Sequence, residues 1–369
     1  MPRITELLVH PVRIPRKFFS NARGKTTHIE AAIVEVHSDS GVSGLGEADP
    51  LFPNPDVLLE EIVSSIRRFL APFLVGKDPR NIDHLRLEMD DVLTGHTLAK
   101  DAVEVALVDL AARLQNVPAA FILGGQFVDK VPVIAPLGIY PPDEMAREAS
   151  EYVKRGFTGV KLKIGLEPAL DVERIRAVRE AVGPNVIMRA DANASYSFLD
   201  ALRTIRQIDR FDLQSIEQPL PSWDLEGMSR LVRAVETPIM ADESLDGAPS
   251  ALEIIRRRAA DIFHVKVQGK GGLLQARRVI ALAEAAGIPC IIGQISEMSI
   301  GACVDATLAA STKNVIFPGE MSGPLIIDDD VVTRKLELSR GMLELSPGPG
   351  FGLELDHAAL KRYQIETRN

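Results

Sequence analysis

Five residues recur along the middle of the chain at nearly even steps: Lys163, Asp191, Glu217, Asp242 and Lys266, separated by 28, 26, 25 and 24 positions. Each stands in a short motif: KLKIG (Lys161–Gly165), ADAN (Ala190–Asn193), IEQP (Ile216–Pro219), ADES (Ala241–Ser244) and HVKV (His264–Val267). A step of about 25 residues accommodates one strand, one helix and two loops. Each motif closes an apolar run of strand length. Three carboxylates and two lysines would then rise from one rim of a parallel β/α barrel, where such folds carry out their chemistry.

The three acids offer only hard oxygen donors, with no Cys or His at matching positions. That donor set suits Mg2+, with Mn2+ as the alternative. Three converging carboxylates without a cation would repel one another. Taken singly, each acid reads as a surface charge, or for Asp191 as a helix cap; their shared register points to a metal. Lys161 and Lys163 lie two residues apart on one strand, so both point to the same side, about 7 Å apart at the backbone. Their strand is otherwise apolar, so they require the acid cluster or a substrate anion as partner. Mutual repulsion and a nearby cation are expected to lower a lysine pKa toward the range of a base. Lys266 stands across the barrel mouth. A planar intermediate held between Lys163 and Lys266 would meet one amine on each face. This arrangement suits abstraction of a proton α to a carboxylate, with the enediolate stabilised as it forms by a cation and a lysine.

The elements that must position these groups follow from patterning. Ile4–Ile14, His28–His37 and Val42–Ala48 read as strands, with a turn at Ser38–Gly41. Helical periodicity follows over residues 56–115. Strands and helices in separate blocks predict an α+β domain. From Val131 apolar strands alternate with amphipathic helices: Val131–Ala135, Gly159–Ile164, Val186–Ala190, Leu213–Glu217, Ile239–Ala241, Ile262–Val267, Cys290–Gly293 and Val315–Pro318. Sites spread over successive strands favour a closed barrel over an open sheet, whose ligand site gathers at one switch point. The expected organisation is an α+β capping domain over 1–125, a barrel over 126–340, and a tail over 341–369 returning to the capping domain. PGPGFG (Pro347–Gly352) lacks the Lys and following helix of a phosphate loop and reads as a turn.

These motifs, with VKVQGKGG, closely resemble the enolase superfamily, and within it the muconate-lactonizing-enzyme subgroup of the mandelate racemase/muconate lactonizing enzyme family. The resemblance spans nearly the whole chain. It implies an α/β fold, a modified (β/α)7β TIM-type barrel with an N-terminal α+β capping domain. It also implies Asp191, Glu217 and Asp242 as Mg2+ ligands, Lys163 and Lys266 as the acid/base pair, and Lys161 at the enolate oxygen. Asn193 and Glu243 match neighbouring positions of the family pattern. The mandelate-racemase branch would place a His near the seventh strand, where this chain reads GQISEMSIG (Gly293–Gly301). Dipeptide epimerases of the lysine branch typically carry Asp-x-Asp after the eighth strand, where this chain reads GEMSGPL (Gly319–Leu325). SEMSIG and GEMSGPL look closer to muconate cycloisomerases, which brings in Glu297 and Glu320 as substrate or supporting residues. The implied activity is a cycloisomerase. Racemisation of N-acyl amino acids, dipeptide epimerisation and o-succinylbenzoate-type dehydration are the alternatives.

Two residues read differently. Lys270 reads as a solvated loop lysine ahead of a substrate contact, and His264 as a satisfied inward core histidine ahead of a ligand. Phe18, Phe19 and Phe52, in the turn-rich segments Lys17–Thr27 and Leu51–Pro55, are read either as specificity elements or as the capping domain's own core. A binding-only barrel would not need both lysines and all three acids, and a Schiff-base aldolase would not need the acid cluster. The net charge of −9 argues against a nucleic-acid partner. No apolar run is long enough for a membrane span, and the first ten residues lack a signal-peptide core. Cys290 and Cys303 match no metal spacing and read as reduced cysteines of a cytoplasmic protein. The expected partners are a small carboxylate substrate and, by resemblance, a homo-oligomer of this chain.

Overall fold

The computed structural model describes residues 1–50 and 57–367. The segment Leu51–Pro55, with Phe52, lies outside the described residues. Strands β1 (Ile4–Asn21), β2 (Gly24–Ser38) and β3 (Ser43–Ala48) form an antiparallel meander. The β1–β2 hairpin is longer than the sequence pattern predicts, since it runs through the turn-rich segment Lys17–Thr27. Pairing continues through Phe19↔Thr26 to Asn21↔Gly24, after a register shift between Pro15 and Phe19. The turn is held by Asn21 Oδ1, which accepts the N–H groups of Arg23 and Gly24 at 2.9 and 3.0 Å. This side-chain closure is a tertiary-independent turn signal that polar composition alone disguises as loop.

The helix Thr97–Leu114 lies against this sheet, buried along nearly its whole length. The approach is close enough that a Cβ on Gly46 would collide with the carbonyl oxygen of Ala102, and one on Gly44 with that of Ala106. Gly46→Ala is therefore expected to destabilise the fold by about 2–4 kcal/mol, since backbone rather than a movable side chain opposes the methyl group. A urea melt with an unchanged midpoint would show that the helix can shift instead.

The barrel follows. Strand β4 (Lys130–Pro132) does not enter it, and β5 (Ala135–Leu137) does. The single expected run Val131–Ala135 thus divides between two sheets. Pro132 has no N–H to donate to a ladder. Strands β6 (Gly159–Lys163), β7 (Ile187–Asp191), β8 (Ser215–Glu217), β9 (Ile239–Ala241), β10 (Ile262–Val265) and β11 (Cys290–Ile292) complete a seven-stranded parallel sheet in chain order with β5. Segment 315–319 closes the ring as its eighth member. Val315 bridges Cys290, Gly319 bridges Val133, and the N–H of Ile134 donates to the carbonyl of Gly319 at 2.8 Å. Strands buried on both faces read as short apolar runs, because helices cover the outside and packed side chains fill the inside. Beyond the barrel, β12 (Leu338–Ser339) pairs with β13 (Met342–Glu344), which pairs with β4. The last helix, His357–Tyr363, leads to Gln364, which bridges Val12 of β1.

The N-terminal elements meet the barrel through buried acids set on helix N-termini. Glu47 accepts the N–H groups of Met298 and Gly301 at 2.6 and 2.8 Å, at the start of the helix Ser299–Ala310. Glu104 accepts that of Leu274 at 2.9 Å, in the first turn of the helix Gly272–Ala286. Asp101 accepts that of Gly271 at 3.2 Å and pairs with Arg86 at 2.7 Å. These carboxyls satisfy N–H groups that a helix leaves unpaired, and they face its positive end. Burial nevertheless outweighs these donors and pushes Glu47 up to about 7, Glu104 to about 8 and Asp101 to about 6. The native state therefore holds protons that the unfolded chain has lost. The resulting contribution is full below the ordinary carboxylate range and is lost as pH rises through these values. The unfolding free energy from urea melts is expected to decline between about pH 5 and pH 9; a rise across that window would contradict it.

Candidate active site

Neighbouring strands are in lateral register at the rim. Lys163 pairs across to Asp191, and Asp191 to Glu217. Asp242 follows β9 directly and Lys266 follows β10 directly. Parallel strands lie about 4.8 Å apart, so residues in register present a continuous row of side chains. Lys161, one strand layer below Lys163, pairs across to Arg189.

Lys161 Nζ is the hub of the row. It lies 2.7 Å from Glu217 Oε2, 2.6 Å from Glu320 Oε2 and 3.1 Å from Asp191 Oδ2. Burial lowers its pKa, but Glu217, Glu320 and Asp191 outweigh this and hold it well above the usual lysine value. Lys163 donates to Asp191 Oδ2, and Lys266 donates to Asp242 Oδ2 at 2.7 Å. The sequence reading expected a lowered lysine pKa. For Lys266, burial acts in that direction, but Asp242 and Glu243 reverse it and the value is raised. The two lysines thus attach to different acids on opposite sides of Glu217.

His264 is a polar member of this cluster rather than a satisfied core histidine. Its Nδ1 lies 3.3 Å from both Glu217 Oε1 and Asp242 Oδ1, and its Nε2 lies 3.2 Å from Glu320 Oε2. Burial would strip its proton, but these three carboxylates outweigh it and hold its pKa well above the ordinary value. Its spacing of two residues from Lys266, on the same strand face, was the signal available in the sequence.

Glu320 is held by Lys161, His264 and, at 3.6 Å, by the buried Arg189. Asn193 donates its N–H to Asp191 Oδ1 at 2.8 Å, and its side-chain amide lies 3.4 Å from both Asp191 Oδ2 and Glu243 Oε1. Glu243 also receives Arg23 of the hairpin at 2.9 Å. Glu297 does not line the cavity; it is buried, and its Oε1 accepts the N–H of Ile295 at 2.7 Å. Lys270 sits at the cavity edge, 3.6 Å from Asp246 Oδ1. Two groups that sequence reasoning left out carry weight here. Gln218, within the IEQP motif, accepts the N–H groups of Asp242 and Ser244 and the hydroxyl of Ser244, and so fixes the turn that presents Asp242. Arg189 braces Glu320 from inside the barrel.

The acids suit a hard cation. Asp191 Oδ2 and Glu217 Oε2 share contact with Lys161 at 3.1 and 2.7 Å, which places them within about 6 Å of each other. Glu217 Oε1 and Asp242 Oδ1 share His264 Nδ1 at 3.3 Å each, which places them within about 6.6 Å of each other. The buried Asp242 Oδ1 and Asn193 Oδ1 have no hydrogen-bond partner among the described residues. A tighter grouping, Glu217, His264 and Glu320, has candidate ligand atoms within 4.8 Å. Lys161 touches Glu217 in both groupings, and the rim set Asp191, Glu217 and Asp242 offers three hard oxygen donors and no nitrogen, which suits Mg2+.

Above the rim lies a cavity of about 610 Å³, walled on its other side by the β1–β2 hairpin through Arg16, Phe19 and Arg23. Phe18 is half exposed and stacks against Tyr140 with ring centroids 6.3 Å apart. Of the hairpin phenylalanines, Phe19 therefore faces the site and Phe18 does not.

A barrel with acids and lysines around its rim, covered by an N-terminal α+β unit, defines an enolase-type enzyme. The chain belongs to the mandelate racemase/muconate lactonizing enzyme family of the enolase superfamily. Residues 4–124 match the family model "Mandelate racemase / muconate lactonizing enzyme, N-terminal domain", and residues 144–359 match "Enolase C-terminal domain-like". It is 34% identical to muconate cycloisomerase 1 of Rhodococcus opacus, covering 99% of this chain and 97% of that protein. It is equally 34% identical to the L-Ala-D/L-Glu epimerase of Bacillus subtilis, covering 91% of this chain and 92% of that protein. The dipeptide epimerase of Enterococcus faecalis, solved with Mg and the dipeptide L-Leu-L-Tyr, superposes with a TM-score of 0.90 at 32% identity, covering 95% of this chain and 99% of that one. The chain is thus an enzyme of a superfamily whose members here are isomerases. Among the described residues no helix is long and apolar enough to cross a membrane.

Proposed function

We propose that this enzyme moves a proton at the carbon α to a carboxylate, and that its reaction is a muconate-type cycloisomerisation. The observation that carries the reading is the pair Lys163 and Lys266, anchored to Asp191 and to Asp242 on either side of Glu217. Asp191, Glu217 and Asp242 would hold Mg2+, with Mn2+ as a substitute. When bound, the ion supplies positive charge to the reacting carboxylate and so makes its α-carbon acidic.

The chain's own groups do the rest. In lactone formation the distal carboxylate adds to the double bond, and the electron pair moves toward the proximal carboxylate. One lysine ammonium then gives its proton to the α-carbon, and the other supports the developing charge. Lys161 donates toward the charge that develops on the proximal carboxylate oxygen. Asn193 and Glu243 orient this row, and the hairpin sets specificity over the cavity. Dipeptide epimerisation is disfavoured by Glu320, the acid at the position expected to receive a substrate ammonium. Lys161 at 2.6 Å and His264 at 3.2 Å already engage it.

We further propose that residues 1–125 with the tail 341–369 act as the capping unit and 126–340 as the catalytic unit. The protein is proposed to work as a homo-oligomer in the cytoplasm, in keeping with its two free buried cysteines. The test is incubation in D2O with Mg2+ and, separately, cis,cis-muconate, muconolactone and a set of N-acyl amino acids. Deuterium at the α-carbon of muconolactone is the expected result. Exchange confined to N-acyl amino acids would make the enzyme a racemase, and none with any acid would defeat the reading.

A further inference from the structure

Six lysines and arginines line the active-site cavity: Arg16, Arg23, Lys161, Lys163, Lys266 and Lys270. Five of them lie within 4.0 Å of a carboxylate oxygen. Among the described residues Arg16 alone has no such partner, although it is only 6% exposed. Its buried Nε has no hydrogen-bond partner among the described residues. Nη1 reaches only Ser296 Oγ, at a long 3.4 Å, and the guanidinium lies 5.1 Å from the Phe19 ring centroid. Burial with no opposing carboxylate pushes its pKa down to about 10.

A structural arginine at this depth normally satisfies its donors with carbonyls or acids, because an unpaired buried charge is costly. The nearby Lys17 does this, donating to the carbonyl of Leu325 at 3.0 Å. Backbone geometry accounts for the direction of Arg16. The register shift between Pro15 and Phe19 detaches this stretch of β1 from β2, and Arg16 bridges Ile327 of the barrel side instead. An irregularity of this kind re-aims a side chain without breaking the strand.

We infer that Arg16 is the receptor for a second carboxylate of the substrate, at the end remote from the carboxylate held at the acid cluster. Its planar fork of donors suits a bidentate carboxylate, and Phe19 and Ile326, which also line the cavity, offer apolar contact for the chain between the two acids. The substrate class is thus a dianionic acid with an apolar spacer. This inference rests on the proposed reading of the rim as the place of the reacting carboxylate, and it makes Arg16 a specificity-determining residue rather than a proton-transfer group.

Calorimetric titration of the Mg2+-loaded protein with glutarate and with glutaramate separates charge from shape, since the two differ by one carboxylate. Adipate, pimelate and suberate, each with its monoamide, extend the series and find the best span. At the best length the diacid is expected to bind about tenfold or more tightly than its monoamide. Arg16→Gln is expected to abolish that preference, and Arg16→Lys to keep part of it. A wild-type protein that does not discriminate, or that binds no diacid of the series, overturns the assignment without reference to any variant. So does a folded Arg16→Gln protein, checked by circular dichroism, that keeps the preference. Deuterium exchange stands apart from this outcome. Charge-selective binding without exchange on any acid would remove the proposed reaction and leave the Arg16 subsite, and the reverse result would do the opposite.

Discussion

Lys163→Ala and Lys266→Ala are each expected to lower turnover by a factor of about 10² to 10⁴, and a lysine that transfers a proton takes with it the solvent-deuterium exchange on its own face of the substrate's α-carbon. The two ammonium groups are tethered to different acids, Asp191 and Asp242, on the two sides of Glu217. A side chain fixed from one side can reach only the face it approaches. In a racemisation both lysines exchange protons, so each variant keeps exchange with only one enantiomer. In a cycloisomerisation one variant loses exchange altogether, and the other keeps the stereochemistry of the wild type at a lower rate. Both lysines are partly exposed to the cavity, so neither truncation leaves a void in a close-packed core, and circular dichroism is expected to be unchanged. Full exchange on both faces in both variants would end the two-base assignment.

Removal of the metal is expected to have an effect at least as large. EDTA should reduce activity by about 10³-fold or more, equivalent to several kcal/mol of barrier, and added Mg2+ should restore it. A ligand that binds only the folded state also raises its melting temperature. Mg2+ is therefore expected to raise the Tm of the wild type but not of Glu217→Gln, because Glu217 is the middle acid of the row. The substitution also removes a counter-charge from Lys161 and His264, which contact Glu217 at 2.7 and 3.3 Å. For that reason the Mg2+-induced shift, rather than the bare Tm, is the informative quantity. A Glu217→Gln protein with an undiminished Mg2+ shift would move the cation site elsewhere.

Much of this site was legible before any coordinates, and the reason is periodic. In a parallel barrel each strand–helix unit has nearly constant length, so rim residues recur at steps that can be counted along the chain. Lys163, Asp191 and Glu217 occupy lateral register positions because their motifs end their strands alike. The eighth strand was legible as an apolar run too, although isolated bridges at Val315 and Gly319 and a few backbone hydrogen bonds hold it among the described residues, not a continuous ladder.

What the linear order hides is contact between residues far apart in it. Glu320 and Lys161 are 159 positions apart yet lie 2.6 Å from each other, so no local pattern announces the clamp. His264 looked like a core residue because its neighbours in sequence are apolar. The charges that hold its proton, on Glu217, Asp242 and Glu320, come from three other strand ends. The lysine pKa expected to fall instead rises at Lys266, because Asp242 and Glu243 face its buried Nζ and composition cannot report that distance. The hairpin Lys17–Thr27 read as loop because its strand pairing depends on a bulge and an Asn21-closed turn. That bulge is what turns Arg16 into the cavity. The amino-acid sequence by itself determined the barrel and the acids and lysines at its rim, since those follow from repeat length and residue type. Only the tertiary structure decided which acid each lysine holds and which cavity-lining cation has none among the described residues, since electrostatic pairing depends on distances that the fold alone sets.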